Sequence, residues 1–144
     1  MNISVEIFNP KKTFKRIFSD DVRKYAHTRL HAYCSPYVPM DSGALDQTVD
    51  ITPDYVHYKS PYAHFQWEGK VFVDDRWSTY AKRNTSKHAT ERNLKYSIDK
   101  HPLATSHWER AAMTAKGDRL AEDIETYITV SYTHLRAHET RHDL

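Results

Sequence analysis

The stretch Leu45–Lys59, LDQTVDITPDYVHYK, decides the fold class. Its first half alternates, with Leu45, Val49 and Ile51 as the prominent apolar positions, as a half-buried strand does. Its second half, DYVHYK over 54–59, is rich in β-branched and aromatic residues. Thr52-Pro53-Asp54 between them is turn chemistry, so the spacing predicts a β-hairpin over 45–59. Moving outward, Ser60-Pro61 opens a short helix carrying Tyr62, Phe65 and Gln66, and Gly69 closes it in the left-handed conformation. KVFVD (70–74) reads as a third strand. Residues 75–92 are polar without a period and read as a long loop. NLKYSI (93–98) resembles another strand.

Helices flank this β region. On the N-terminal side ISVEIF (3–8) alternates like a short strand, and Asn9-Pro10 reads as N-cap and first helical residue. Phe14, Ile17, Phe18, Val22, Tyr25, Ala26 and Tyr33 then recur at helical spacing. Ser19-Asp20-Asp21 breaks or restarts that helix, and Pro36 and Pro39 end it. On the C-terminal side a helix from about Pro102 carries Trp108, Ala111, Ala112, Ala115, Leu120, Ile124, Tyr127 and Ile128 on one broad face. Gly117 weakens it by about 1 kcal/mol relative to alanine. The expected architecture is α+β: a small antiparallel sheet packed against long N- and C-terminal helices.

A chain of 144 residues fits one domain. Twenty-one basic against nineteen acidic residues leave a net charge of +2, too little for a protein that coats DNA. Cys34 is the single cysteine, so no intrachain disulfide and no CxxC zinc motif exist. No apolar run approaches the roughly 20 residues of a membrane span. The N-terminus lacks the apolar stretch of a signal peptide. The expectation is a protein made and used in the cytoplasm, without a membrane.

Candidate chemistry is sparse. His27 and His31 stand four apart on the first helix, but no HExxH accompanies them and a polar helix face accounts for them better. His57, His64, His101 and His107 read as packed or surface residues. Cys34 has no general base beside it and reads as a buried thiol. Asp41-Ser42-Gly43 reads as a turn, because no GxSxG elbow surrounds the serine. Three glycines cannot hide a P-loop or GxGxxG. These observations predict no enzyme, no cofactor and no metal. Trp108 reads as a core anchor. Trp77 lies in the polar loop near Tyr80, Lys82 and Arg83. It reads as an interaction hot spot, a stacking platform for nucleic acid, or a residue folded back on its own domain.

Three stretches carry a resemblance. They are YVPMDSGALDQTVDI (37–51), SPYAHFQWEGKVFVD (60–74) and NLKYSIDKHPLATSHWERAAMTAKGDRLAEDIETYI (93–128). In order and spacing they resemble the small minor capsid proteins of tailed phages and prophages of Gram-positive bacteria, encoded among head and neck genes. The resemblance covers about residues 10–128. It implies a structural virion protein at the head–tail junction, assembling as a ring between portal or head-closure protein and tail proteins. It is present in the host cytoplasm during assembly. The implied partners are copies of itself, the portal or head-closure protein and tail proteins. Non-specific contact with DNA is expected only if the ring lines the DNA path, through Lys82, Arg83, Lys87 and Arg92. The same resemblance marks Tyr37, Pro39, Asp41, Gly43, Leu45, Pro61, Tyr62, Ala63, Gly69, Tyr96, His101, Pro102 and Trp108 as structural. Pro39 and Gly43 set a turn, and Tyr62 and Trp108 pack between sheet and helix. The competing reading is a small nucleic-acid-binding accessory protein that uses the 75–92 loop, with Trp77, Tyr80 and the same cations.

The end of the chain has a different character. His134, His138 and His142 fall four apart, which on a helix stacks them on one face. Yet VSYTHLRAHET (130–140) resembles the in-frame translation of a sequencing-library transposase adapter. Residues 1–129 are therefore expected to form the single minor-capsid-like domain. Residues 130–144 are expected to be a non-native tail that touches the core little or merely extends the last helix.

Overall fold

The structure is a computed structural model and describes residues 1–5, 19–40, 44–79 and 85–142, without the side chains of 44, 132 and 134–142. The expected helix start at Asn9-Pro10, its apolar positions Phe14, Ile17 and Phe18, and residues 6–8 of the first strand lie outside the described residues, as do the side chains of His134, His138 and His142. The architecture is α+β, as expected, but its strands form two small antiparallel sheets.

The hairpin is present. Strand β2 (Val49–Ile51) pairs with β3 (Val56–Tyr58), with Val49 opposite Tyr58 and Ile51 opposite Val56. The Thr52 hydroxyl accepts from Asp54 N–H (3.2 Å) and Tyr55 N–H (3.1 Å), while Thr52 N–H donates to the Tyr55 carbonyl (3.0 Å). Strand β1 (Asn2–Ile3) adds to the other side of β3, so β3 is central, flanked by β1 and β2. Leu45 does not belong to the hairpin. Ala44–Gln47 is one helical turn, α2, because Leu45 is drawn into the core while Asp46 accepts from Ser35 Oγ at 2.8 Å.

Helix α1 (Asp20–Cys34) is capped by Ser19, whose side chain accepts from Val22 N–H, and Asp20 and Asp21 suit the positive end of the helix dipole. Val22, Ala26, Leu30 and Cys34 recur every fourth residue and are all buried. They face Trp108, Ala112, Leu120 and Ile124 of helix α4 (Trp108–His142). The two helices are also joined at their rims. Tyr25 stacks on Tyr127 with centroids 4.1 Å apart, and Arg29 Nε donates to Asp123 at 3.2 Å. Tyr58 and Val56 of the central strand complete this core, with Tyr58 meeting the Trp108 ring edge-to-face at 5.4 Å.

Three expectations are corrected. Strand β4 (Lys70–Val73) does not join the hairpin; it pairs with β5 (His88–Asn93) in a separate ribbon. The 75–92 loop is consequently shorter, and the strand expected at 93–98 lies five residues earlier. β5 reads HATERN and is almost wholly exposed, so it carries no apolar alternation. Helix α4 begins at Trp108 rather than Pro102, because His101, Thr105 and His107 bond to distant segments instead of to a helix. Ala115, placed on its apolar face, is exposed.

Helix α3 (Ala63–Glu68) and its glycine match expectation: Gly69 has φ 72° and ψ 18° and returns its N–H to the Phe65 carbonyl. Helix α4 continues unbroken through the suspected tail, with Val130 63% exposed. Removing residues 130–144 should therefore leave the melting temperature nearly unchanged; a circular-dichroism melt of the truncated chain checks this. No helix among the described residues is long and apolar enough to cross a membrane.

Candidate protein interface

The three stretches that carry the resemblance are stitched together by one irregular segment, Leu94–His107. Leu94 N–H donates to the Gly69 carbonyl (2.9 Å), the Tyr96 hydroxyl to the Gln66 carbonyl (2.6 Å) and His107 N–H to the Trp67 carbonyl (3.0 Å). Further along, Thr105 N–H donates to the Tyr37 carbonyl (3.0 Å), and His101 Nδ1–H to the Val38 carbonyl (2.7 Å). Both protein partners being carbonyls, His101 must carry its proton on Nδ1 for the latter. The segment is a belt that satisfies polar backbone left over by the turn after α1 and by the end of α3. Tyr37, Tyr96 and His101 are half-buried along it, Pro39, Leu45, Ala63, Gly69 and Trp108 are buried, and Pro61 and Pro102 are exposed. Tyr62 corrects the expectation of a packed residue: it is 67% exposed, because the short α3 turns Ala63 rather than Tyr62 inward. Asp41 and Gly43 lie outside the described residues.

A second arrangement projects outward. Past β4 the chain turns on Asp74, whose carboxylate accepts from Arg76 N–H and Ser78 N–H, each at 2.9 Å, and whose N–H donates to the Ser78 carbonyl at 3.0 Å. This Asx-type turn places Trp77 at φ 61°, a region that bulky side chains rarely occupy. Such a conformation costs on the order of 1–3 kcal/mol and clusters at functional positions. Trp77 remains 69% exposed, with the His88 ring against it edge-to-face at 6.1 Å. It is not folded back into the core.

The Asp74 carboxyl is held below its ordinary range, chiefly by the Ser78 N–H and then by Arg76, against the opposing effect of burial. A depressed folded value means the turn is held at neutral pH and weakens as pH falls through that value. Trp77 emission should therefore show a step in acid, as Asp74 takes up its proton. The Asp74→Asn variant should lose that acid step, which a fluorescence titration reads.

The ribbon itself is irregular. Lys70 pairs with Asn93 and Phe72 with Ala89, so Thr90, Glu91 and Arg92 stand opposite Val71 alone. Thr90 Oγ1 bridges this bulge by donating to the Val71 carbonyl at 2.6 Å. Bulges of this kind twist a ribbon and re-aim its side chains. The ribbon rests on α3 through Phe72 against Phe65, with centroids 4.8 Å apart. Lys87 lies over the Phe65 ring at 5.4 Å and donates to the Thr79 carbonyl, so its charge is turned onto the protein. Arg92 is exposed on β5, and Tyr80, Lys82 and Arg83 lie outside the described residues.

A cavity of about 280 Å³ opens between β1, α3 and the start of α4, lined among others by Met1, Ile3, Ser4, His64, Trp67 and Glu109. Trp67 Nε1–H donates to Glu109 Oε2 at 2.5 Å, and His107, itself at φ 49°, packs against the Trp67 ring at 4.1 Å. Sequence reasoning missed this cavity, since β1 and Glu109 meet only in the fold. Asp74 was missed as well, although an aspartate just past a strand is a legible turn signal.

The remaining candidates take structural places. His27 Nε2 accepts from Val5 N–H (3.2 Å) while Nδ1 donates to the Arg23 carbonyl (2.8 Å), which fixes its tautomer. His31 Nε2 lies 3.7 Å from Asp46 and its Nδ1 lies 3.4 Å from the Tyr58 hydroxyl. Among the described residues no group of three or more His, Cys, Asp or Glu could hold a metal ion. Cys34 is buried, and burial first, then the charges of Glu109 and Asp46, pushes its thiol up to about 12. It should therefore resist a disulfide reagent at pH 8 in the folded chain and react once unfolded in guanidinium, read as released thiolate chromophore. Comparisons with protein families, with characterised proteins and with solved structures find no match to the chain.

Proposed function

We propose that the chain is a structural component of a phage head–tail connector, working by assembly into a ring between head and tail in the virion. The observation that carries this reading is Trp77: a large aromatic side chain, mostly exposed, held outward by the buried Asp74 at the cost of an unfavourable backbone conformation. Exposed tryptophan is a characteristic anchor of protein interfaces. The resemblance in sequence supplies the kind of assembly, and a ring requires two different faces of one subunit to meet. The ribbon offers one such face and the cavity beside Trp67 another. Negative-stain microscopy of the purified protein over rising concentration, alone and with a phage portal added, tests the reading. Closed rings, or decoration of the portal, are expected; monomers under every condition would sink it.

A further inference from the structure

We propose that His27 is a proton-operated latch on β1: a proton taken up at Nε2 releases Val5 and frays the strand from that end, while its other end stays attached. This goes beyond the connector reading and holds with or without a ring.

The neutral ring is fully engaged. His27 is 3% exposed, its Nδ1–H donates to the Arg23 carbonyl, and its Nε2 accepts from Val5 N–H. A ring with a proton on each nitrogen is a donor at both. The Arg23 carbonyl still suits it, but at Nε2 one N–H would face another. Protonation therefore breaks one bond, leaves the Val5 N–H without its acceptor and places a charge in a buried site. Among the described residues no carboxylate lies within ion-pair distance of the ring to offset that charge. The charged and titratable groups of the surrounding elements have other partners. Arg23 holds Asp20 and Asp54, and His31 lies 3.7 Å from Asp46 and 3.4 Å from the Tyr58 hydroxyl. On β2 Asp50 pairs with Lys59, and on α4 Asp123 takes Arg29 and Tyr33. β1 itself has no side chain that ionises.

The other end of β1 answers acid differently. His57 Nδ1 donates to Asn2 Oδ1 at 2.6 Å, a bond that the doubly protonated ring keeps, and Tyr58 N–H donates to the Met1 carbonyl at 3.0 Å. His31 gains from its proton, which turns the contact with Asp46 into an ion pair. Acid thus loosens the Val5 end alone. The released form binds the extra proton, so its share rises as pH falls. Val5 packs against the core, and its neighbours Ile3 and Ser4 line the cavity beside Trp67. Fraying from this end opens that cavity.

The test titrates the ¹⁵N-labelled full chain from about pH 8 to about pH 5 by NMR. It follows the ring nitrogens of His27 and the exchange protection of backbone amides, each taken relative to its intrinsic rate at that pH. The expected result is a roughly tenfold or greater loss of protection at Val5, in step with proton uptake at Nε2, with the Tyr58 and Leu30 amides unchanged. His27→Gln offers an acceptor oxygen near the Nε2 position with nothing to titrate, and should hold Val5 equally at both ends of the range. Val5 staying protected while Nε2 takes up its proton, or Nε2 taking up none across the range, would overturn the proposal. So would joint loss at Val5, Tyr58 and Leu30, which is unfolding of the whole chain, or a pH step at Val5 that survives His27→Gln. If His27→Gln does not fold, the ring nitrogens and amides of the parent chain decide alone.

Discussion

Replacing Trp108 with alanine is expected to lower the unfolding free energy by about 3–5 kcal/mol, the range for truncating a fully buried large aromatic. Trp108 has no exposed surface and stands where α1, α4 and the central strand β3 meet. Truncation removes the edge-to-face partner of Tyr58 and opens a void that Leu30 and Val56 are too constrained to fill. Against a typical net stability of about 5–15 kcal/mol, the loss would leave a marginal fold. Urea denaturation followed by circular dichroism measures it. The Trp108→Phe variant, which keeps a ring against Tyr58, should lose markedly less. Equal losses from the two would show that the site is not packed as described.

Gly69→Ala should cost about 2–4 kcal/mol, for two separable reasons. The backbone at φ 72° disfavours any side chain, and a Cβ placed there would lie 2.6 Å from Ser106 Cβ and 2.9 Å from the Tyr96 hydroxyl. Neither neighbour can step aside freely. Ser106 adjoins His107, whose N–H is bonded to Trp67, and the Tyr96 hydroxyl is bonded to Gln66. Adding Ser106→Gly removes the closest atom and should recover the share of the steric cost that Ser106 imposes, leaving the Tyr96 share and the conformational part, of about 1 kcal/mol. A double-mutant cycle in urea measures the Ser106 share. Strict additivity would mean that Ser106 imposes none of the cost.

What the sequence reveals here depends on whether a signal is local. The Thr52-Pro53-Asp54 turn and the left-handed Gly69 are each decided within a few residues, and each is found where the pattern puts it, while Ser19, read only as part of a break or a restart, caps helix α1. Trp108 is legible because burial of the largest apolar group is the safest expectation. The ribbon is not legible, since β5 is exposed on both faces and reads as a polar loop. The shift of the helix start from Pro102 to Trp108 is hidden for another reason: the bonds that hold 101–107 reach back to Tyr37, Val38 and Trp67. The candidate site divides the same way. Trp77 stands out in the sequence by its polar surroundings. The cavity beside Trp67 does not, because Ile3, His64 and Glu109 are far apart in the chain.

The Leu94–His107 belt has a consequence for the order in which the protein folds. Its hydrogen bonds join residues 25 to 68 positions apart, from Gly69–Leu94 at one end to Tyr37–Thr105 at the other. Each closes a shorter span than the 94 residues between Arg29 and Asp123 in the α1–α4 core, so docking of the two helices draws the belt's ends together before the belt fastens. The carbonyls that receive these bonds, at Tyr37 and Val38 just past α1 and at Gln66, Trp67 and Gly69 at the end of α3, must already be in place. Formation of the helical core around Trp108 therefore comes first, and the belt fastens last. Loosening it accelerates unfolding more than it slows folding. Amide protons at Leu94, Thr105 and His107 then report the earliest opening of the native state, while those of α1 report the last.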